Sequence, residues 1–160
     1  MHVFDASSII NAWDNYPIKQ FPGLWDWLAE QIQDKELVLP KVAFGEVMDK
    51  APECADWLKQ NEITILNVTD KILQGSMLIK RLVGIVDDKY HPKGVDEKDI
   101  IIIATAKSMR KTLVSDEGRQ ARLPDIPQKM KIPAVCNMDE LKVHCINFIE
   151  YLRDSEQVFR

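Results

Sequence analysis

The chain has 160 residues, 46% hydrophobic and 29% charged, an ordinary globular composition that fits one domain over residues 1–160 with a sizeable core. No apolar run approaches the ~20 residues that span a bilayer, and no basic leader with an apolar stretch opens the sequence, so the expectation is a cytoplasmic protein with no membrane partner. A net charge of −4 argues against nucleic acid as a partner at first sight, but twelve of the cations fall between Gln74 and Lys131 while much of the acid excess precedes Gln60, a distribution compatible with one basic face.

Val3-Phe4 reads as a first strand, central in a sheet, whose tip presents Asp5. Ser7 suits the cap of a short helix through Ile9, Ile10, Ala12 and Trp13, which Asn15-Tyr16-Pro17 ends. Pro22 opens a second helix with Leu24, Trp25, Leu28 and Ile32 at helical spacing, where Trp25 and Trp27 are read as core and staple residues. Glu36 to Leu39 is a short buried strand closed by Pro40. A helix from Val42 to Lys50 carries Glu46, and Pro52 starts another. Glu62 to Leu66 reads as a third strand, after which Thr69 or Asp70 caps a helix with Ile72, Ile79 and Val83 on one side.

Gly84 to Lys98 is polar and reads as a loop containing Asp87-Asp88, His91-Pro92 and Asp96-Glu97. Asp99 then leads Ile100-Ile101-Ile102-Ile103-Ala104-Thr105-Ala106. Four isoleucines favour a strand, but the continuing alanines and an acid suited to a helix N-terminus favour a helix, which is the reading adopted. Lys111 to Ser115 is a fourth strand ending at Asp116-Glu117. Arg119 to Lys131 is a basic, Pro-punctuated connection. Ile132 to Cys136 reads as the last strand, and Asn137 with Glu140 as a capping box for a final helix through Leu152. Cys54, Cys136 and Cys145 are odd in number and lack C-x-x-C spacing, which argues for reduced, buried thiols. The alternation of strands and helices predicts an α/β fold: a single three-layer α/β/α domain with a mainly parallel sheet of about five short strands.

In such a sheet all strand C-termini share one edge, so Asp5, Glu46, Asp99 and Asp116 or Glu117 can converge there. Carboxylates gathered without cations repel one another. A hard divalent ion resolves the repulsion, and without a matching set of His or Cys the donor set suits Mg²⁺ or Mn²⁺. Such a centre can activate water against a phosphodiester.

These segments together resemble the PIN-domain nucleases. Val3-Phe4-Asp5-Ala6-Ser7-Ser8-Ile9-Ile10 is similar to the family's opening motif, Val42-Ala43-Phe44-Gly45-Glu46-Val47 to the second, Asp99 through Ala106 to the third, and Leu113-Val114-Ser115-Asp116-Glu117 to the fourth. The resemblance spans residue 3 to about 150, with longer helices around Trp25 to Trp57 than in short toxin-type members. It implies metal-binding and catalytic roles for Asp5, Glu46, Asp99 and Glu117, with Asp116 as the alternative fourth acid, and places Ser7 and Ser115 where they orient the acids by hydrogen bonds. Arg119 and Arg122, just beyond the fourth acid, are candidates for holding substrate phosphate.

What the resemblance implies is a Mg²⁺- or Mn²⁺-dependent endoribonuclease acting on RNA, of the toxin type, with an antitoxin protein and a homodimer as possible assemblies. The alternative is a PIN-like module that no longer cuts and binds RNA or protein. A haloacid-dehalogenase-type phosphatase would need a second Asp at the Ser7 position, a receiver domain would need an Asp after the third strand, and a dinucleotide-binding fold would need G-x-G-x-x-G. None is present.

Overall fold

The structure, a computed structural model, describes residues 1–160. Five strands, β1 (His2–Phe4), β2 (Leu37–Pro40), β3 (Thr64–Leu66), β4 (Thr112–Val114) and β5 (Cys145–Ile146), form one sheet in the order β3-β2-β1-β4-β5. Every pairing is parallel, with Val3 opposite Val38 on one side and opposite Leu113 on the other. Eight α-helices connect and flank them: α1 (Ala6–Asn15), α2 (Pro22–Gln33), α3 (Lys41–Lys50), α4 (Pro52–Gln60), α5 (Asp70–Val83), α6 (Glu97–Met109), α7 (Ile132–Cys136) and α8 (Phe148–Ser155). The right-handed rule for parallel crossovers assigns α1 to α4 to one face and α5 to α7 to the other, in keeping with the packing of α1 on α3, α3 on α4, α5 on α6 and α6 on α7. Because β1 is central, the chain winds outward from it in both directions, and the point where the winding reverses lies between β1 and β4. Ligand crevices of open α/β sheets lie at that point, beyond the strand C-termini.

The apolar run after Asp99 is helical because α6 is buried on more than one side. Ile100, Ile102, Ile103, Ala104, Thr105 and Ala106 are all buried, and a Cβ on Gly75 of α5 would lie 3.5 Å from that of Ala104. A helix apolar nearly all round is a helix inside a core. Its start is set two residues earlier than the acid suggested. Asp96 is the N-cap and forms a reciprocal capping box with Asp99, so Asp96 and Glu97 belong to the helix start and not to the loop.

The C-terminal region departs most from expectation. Ile132–Cys136 is a short helix, not a strand, and the last strand is the two-residue Cys145–Ile146. Pro133 sits in the first turn of α7, where its missing N–H costs nothing. Asn137 closes α7, and the capping box belongs to Asn147 and Glu150, which open α8. Asn137-x-x-Glu140 and Asn147-x-x-Glu150 offer the same local pattern. Only the second leads into a helix, and that helix carries Phe148 and Tyr151, whose rings pack edge-on against Phe4. Similarly Asp5, not Ser7, is the N-cap of α1.

Trp25 is buried in an aromatic group with Trp13 and Trp57, ring centroids 5.3 and 4.9 Å away. Trp27 is half-buried against Tyr151 and Phe159. All three cysteines are free thiols. No helix is long and apolar enough to cross a membrane.

Two connections beside the sheet edge depend on glycine. A Cβ on Gly94 would come within 1.7 Å of the Gln128 carbonyl oxygen, an approach held by the Val95 N–H donating to the Met130 carbonyl at 2.9 Å. Gln128 also donates to the carbonyl of Gly84, the left-handed residue that closes α5. Gly94→Ala is expected to cost about 1–3 kcal/mol through forced separation of the two connections, read as a lower urea midpoint. An unchanged midpoint would mean that the loops part freely.

Candidate functional site

Asp5 follows β1 at the point where the winding reverses, and its side chain is only 3% exposed. Four donor contacts hold it. Ser7 Oγ lies 2.9 and 2.8 Å from its two oxygens, the Ser8 N–H donates to Oδ1 at 3.0 Å, and Ser115 Oγ donates to Oδ2 at 2.6 Å. The two serines are themselves held from the β4 side. Ser7 Oγ accepts from the Asp116 N–H at 3.0 Å, and Ser115 Oγ accepts from the Glu117 N–H at 3.2 Å. Each hydroxyl thus relays between the backbone after β4 and the carboxylate after β1. Burial raises the Asp5 pKa to about 6, against the pull of the serine and amide hydrogen bonds.

Ser115→Ala removes the shortest of those donors and leaves the Glu117 N–H without its acceptor. Asp5 is then expected to titrate above about 6 and the protein to lose about 1–3 kcal/mol. Carboxyl carbon shifts followed by NMR against pH check the first, and urea unfolding the second.

Glu46 of α3, Asp99 of α6 and Glu117 after β4 line one cavity of about 640 Å³; Asp5 does not line it and is linked to Glu117 through the Ser115 hydroxyl. α3 and α6 follow different strands and meet over the sheet edge, which is how residues 53 positions apart in sequence (99 − 46) face the same space. A second cavity of about 490 Å³ lies on the other side of Asp99 and Glu117, which line both. Burial raises the Asp99 pKa to about 7, helped by the nearby charges of Asp96 and Glu117 and opposed by the Asp96 N–H. Burial also raises that of Glu46, with Lys50 pulling it back and Asp96 adding to the rise. Carboxylates that share a site and hold their protons this strongly mark a place where a cation would be welcome.

The two candidates for the fourth acid separate. Glu117 faces both cavities. Asp116 is turned to structural work: it accepts from the first amide of α8, Phe148 N–H, at 2.9 Å and from Asn11 Nδ2 at 3.3 Å. The arginines fall away from the acids. Arg119 pairs with Glu150, and Arg122 lines neither cavity. The cations that share a cavity with Asp99 and Glu117 are instead Lys50 and Lys98 on the side of Glu46, and Lys93, Lys129 and Lys131 on the other side, all of which blend into a run of scattered lysines in the sequence. Two further residues carry signals that the sequence shows only in hindsight. Ser8 donates its hydroxyl to the carbonyls of both Asp5 and Val114, tying β1 to β4. Asp96 stands three residues before Asp99, the spacing of a capping box.

The profile of one family, described as "Domain of unknown function (DUF4411)", matches residues 2–159. The chain belongs to the DUF4411 family. No curated protein matches this DUF4411 chain in sequence. Solved structures do match in fold. FitAcB from Neisseria gonorrhoeae shares 16% identity at a TM-score of 0.54, covering 93% of this chain and 99% of that one. VapBC2 from Rickettsia felis, bound to a DNA fragment from their promoter, shares 13% at 0.51, covering 81% and 96%. FitAB bound to the IR36 DNA fragment shares 16% at 0.50, covering 92% and 94%. With its all-parallel five-stranded sheet and flanking helices, the DUF4411 chain has a PIN-like fold.

The donor set of this DUF4411 protein is all carboxylate at the cavity, which fits a hard divalent ion. No three of its His, Cys, Asp or Glu side chains stand together closely enough to hold an ion by themselves. A closed zinc-type cage is therefore a poor fit. Mg²⁺ fits better, because it keeps several waters and leans on one or two carboxylates and on substrate phosphate.

Proposed function

We propose that this chain is a Mg²⁺- or Mn²⁺-dependent endoribonuclease that hydrolyses RNA phosphodiesters, and that it is the toxin of a toxin–antitoxin pair. The observation that carries the reading is the meeting of Glu46, Asp99 and Glu117 around one cavity, with Asp5 tied to Glu117 through the Ser115 hydroxyl, beside the reversal point of a PIN-like sheet. Asp99 and Glu117 are the residues placed to hold the ion, with Glu46 completing its surroundings. When bound, the ion supplies an activated water and offsets charge on the phosphate. Asp5, whose oxygens Ser7 and Ser115 keep in register with the backbone of Asp116 and Glu117, would add its carboxylate charge to the field that holds the ion.

The antitoxin partner is supported by the fold's likeness to proteins solved as the assemblies VapBC2 and FitAB on DNA. Purified protein with Mn²⁺ is expected to cleave RNA, Asp5→Asn to cleave none, and induced expression of the wild type alone to arrest growth. No cleavage by the wild type, together with equal growth of both strains, ends the reading.

A second reading, a PIN-like module that binds RNA or protein without cutting, is favoured by the lack of three acids gathered at ligand distance. It predicts that Mn²⁺ leaves the melting temperature unchanged. The nuclease reading predicts a rise that Asp5→Asn removes.

A further inference from the structure

The cavity of about 490 Å³ beyond Asp99 and Glu117 carries Lys93, Lys129 and Lys131 together with Gln120, and the hydrolytic reading gives these four residues no task. The cavity is built, not incidental. The Gln120 amide accepts from the Lys131 N–H at 2.9 Å and donates to the Lys129 carbonyl at 3.1 Å. One side chain therefore fixes the backbone of both lysines, three residues from Glu117 in the chain. The close approach of Gly94 to Gln128 and Lys129 pins the loop that bears Lys93 against the same segment.

The charges are also left available. Lys93 and Lys131 form no ion pair. Lys129 pairs only with Asp125, at 3.3 Å, where the acid is 79% exposed, and such a pair contributes little. Lys131 Nζ lies 3.8 Å from where a Cβ of Gly118 would stand, directly beside Glu117. Cations set next to acids without neutralising them suit a ligand whose anionic groups meet the lysines while its reacting end reaches the acids.

We propose that Lys93, Lys129 and Lys131 form the phosphate track of a single-stranded polynucleotide, RNA in this reading, whose backbone enters through this cavity and reaches Asp99 and Glu117. The inference rests on the nuclease reading for its direction but not for its binding test. A cavity of this size takes a single strand and not a duplex, and backbone contacts of this kind give affinity without sequence choice.

The test uses the full chain. In an Asp99→Asn background, which prevents cleavage, binding of a short fluorescein-labelled single-stranded RNA is followed by anisotropy across a KCl series. Each phosphate contact contributes about 0.7 to the slope of log affinity against log salt for a single strand. The triple change Lys93→Gln, Lys129→Gln and Lys131→Gln is expected to flatten that slope by about 2, while Lys19→Gln, Lys59→Gln and Lys142→Gln together leave it in place. In the otherwise wild-type chain the first triple change is expected to raise KM for RNA at least about ten-fold with kcat little changed. If both triple variants behave alike, the track is wrong even where the wild type cleaves RNA. If the wild type cleaves nothing but the slope still falls with the first triple, the track stands and the nuclease reading fails. A DNA strand of the same length that binds with the same slope and is the only one cleaved keeps the track and removes RNA as its occupant. If the Asp99→Asn chain binds neither strand, the track is overturned.

Discussion

Asp99→Asn is expected to lower RNA cleavage in Mn²⁺ by at least about a hundred-fold, the scale of losing one group that acts on developing charge, and at the same time to make the metal-free protein more stable. The two effects have one cause. Asp99 is half-buried and faces the charges of Asp96 and Glu117, and its pKa is raised to about 7. Removing that charge relieves burial and repulsion together, and an asparagine oxygen can still accept the Asp96 N–H that the carboxylate accepts at 3.0 Å. A residue kept for structure would show the opposite sign, because loss of its cap contact would lower the melting temperature. Gel-based cleavage rates and thermal melts at pH ~8 in EDTA decide the matter. A variant that is as active as the wild type, or inactive and less stable, contradicts the assignment.

The second large effect is a stability profile that runs against the usual direction for acids. Asp5 and Asp99 have folded-state pKa values of about 6 and about 7, above the ordinary 3.8. The folded protein therefore keeps protons that the unfolded chain has released. Their contribution to stability is fully present below pH ~4 and is lost as pH rises from there to ~7. For Asp5 alone the interval from 3.8 to about 6 corresponds to roughly 3 kcal/mol. Glu36 and Glu150 are held below their ordinary value by the N-terminal ammonium, for the first, and by the Asn147 N–H, for the second. Their contributions, small because Glu36 is exposed and Glu150 partly so, are lost only as pH falls through the acid range. The melting temperature in EDTA is thus expected to fall between pH ~4 and ~7. Mn²⁺ added near pH ~8 is expected to recover it, because an ion bound only by the folded state stabilises that state. Melts across pH, with and without Mn²⁺, test both parts. A flat profile in EDTA would show that the acids are not desolvated, and no recovery with Mn²⁺ would favour the module that does not cut.

The regions where sequence and structure disagree share a physical origin. Asn137-x-x-Glu140 and Asn147-x-x-Glu150 are equivalent as local patterns, and Ile132–Cys136 is as apolar as a strand. The choice was made by distant partners: β4 offers an edge that Cys145–Ile146 can pair with, and Phe4 offers a surface that Phe148 and Tyr151 can cover. The four-isoleucine run was decidable in the sequence only through the alanines and acids around it, since a segment buried on several sides loses the periodicity that tells helix from strand.

The sequence by itself pointed to the parallel α/β plan, the central first strand and the candidate acids Asp5, Glu46 and Asp99, with Asp116 or Glu117 as a fourth. Strand tips, caps and apolar runs are local features, and a parallel sheet sends every strand tip to the same edge. Only the tertiary structure decided that Glu117 and not Asp116 faces the cavities, since the first amide of α8 claims Asp116. Only it showed Ser7 and Ser115 as relays to Asp5, and only it separated Lys93, Lys129 and Lys131 from the other cations. These assignments depend on which side of a loop a side chain leaves from and on which distant backbone group it meets, and contacts across 109 or 110 positions have no local signature.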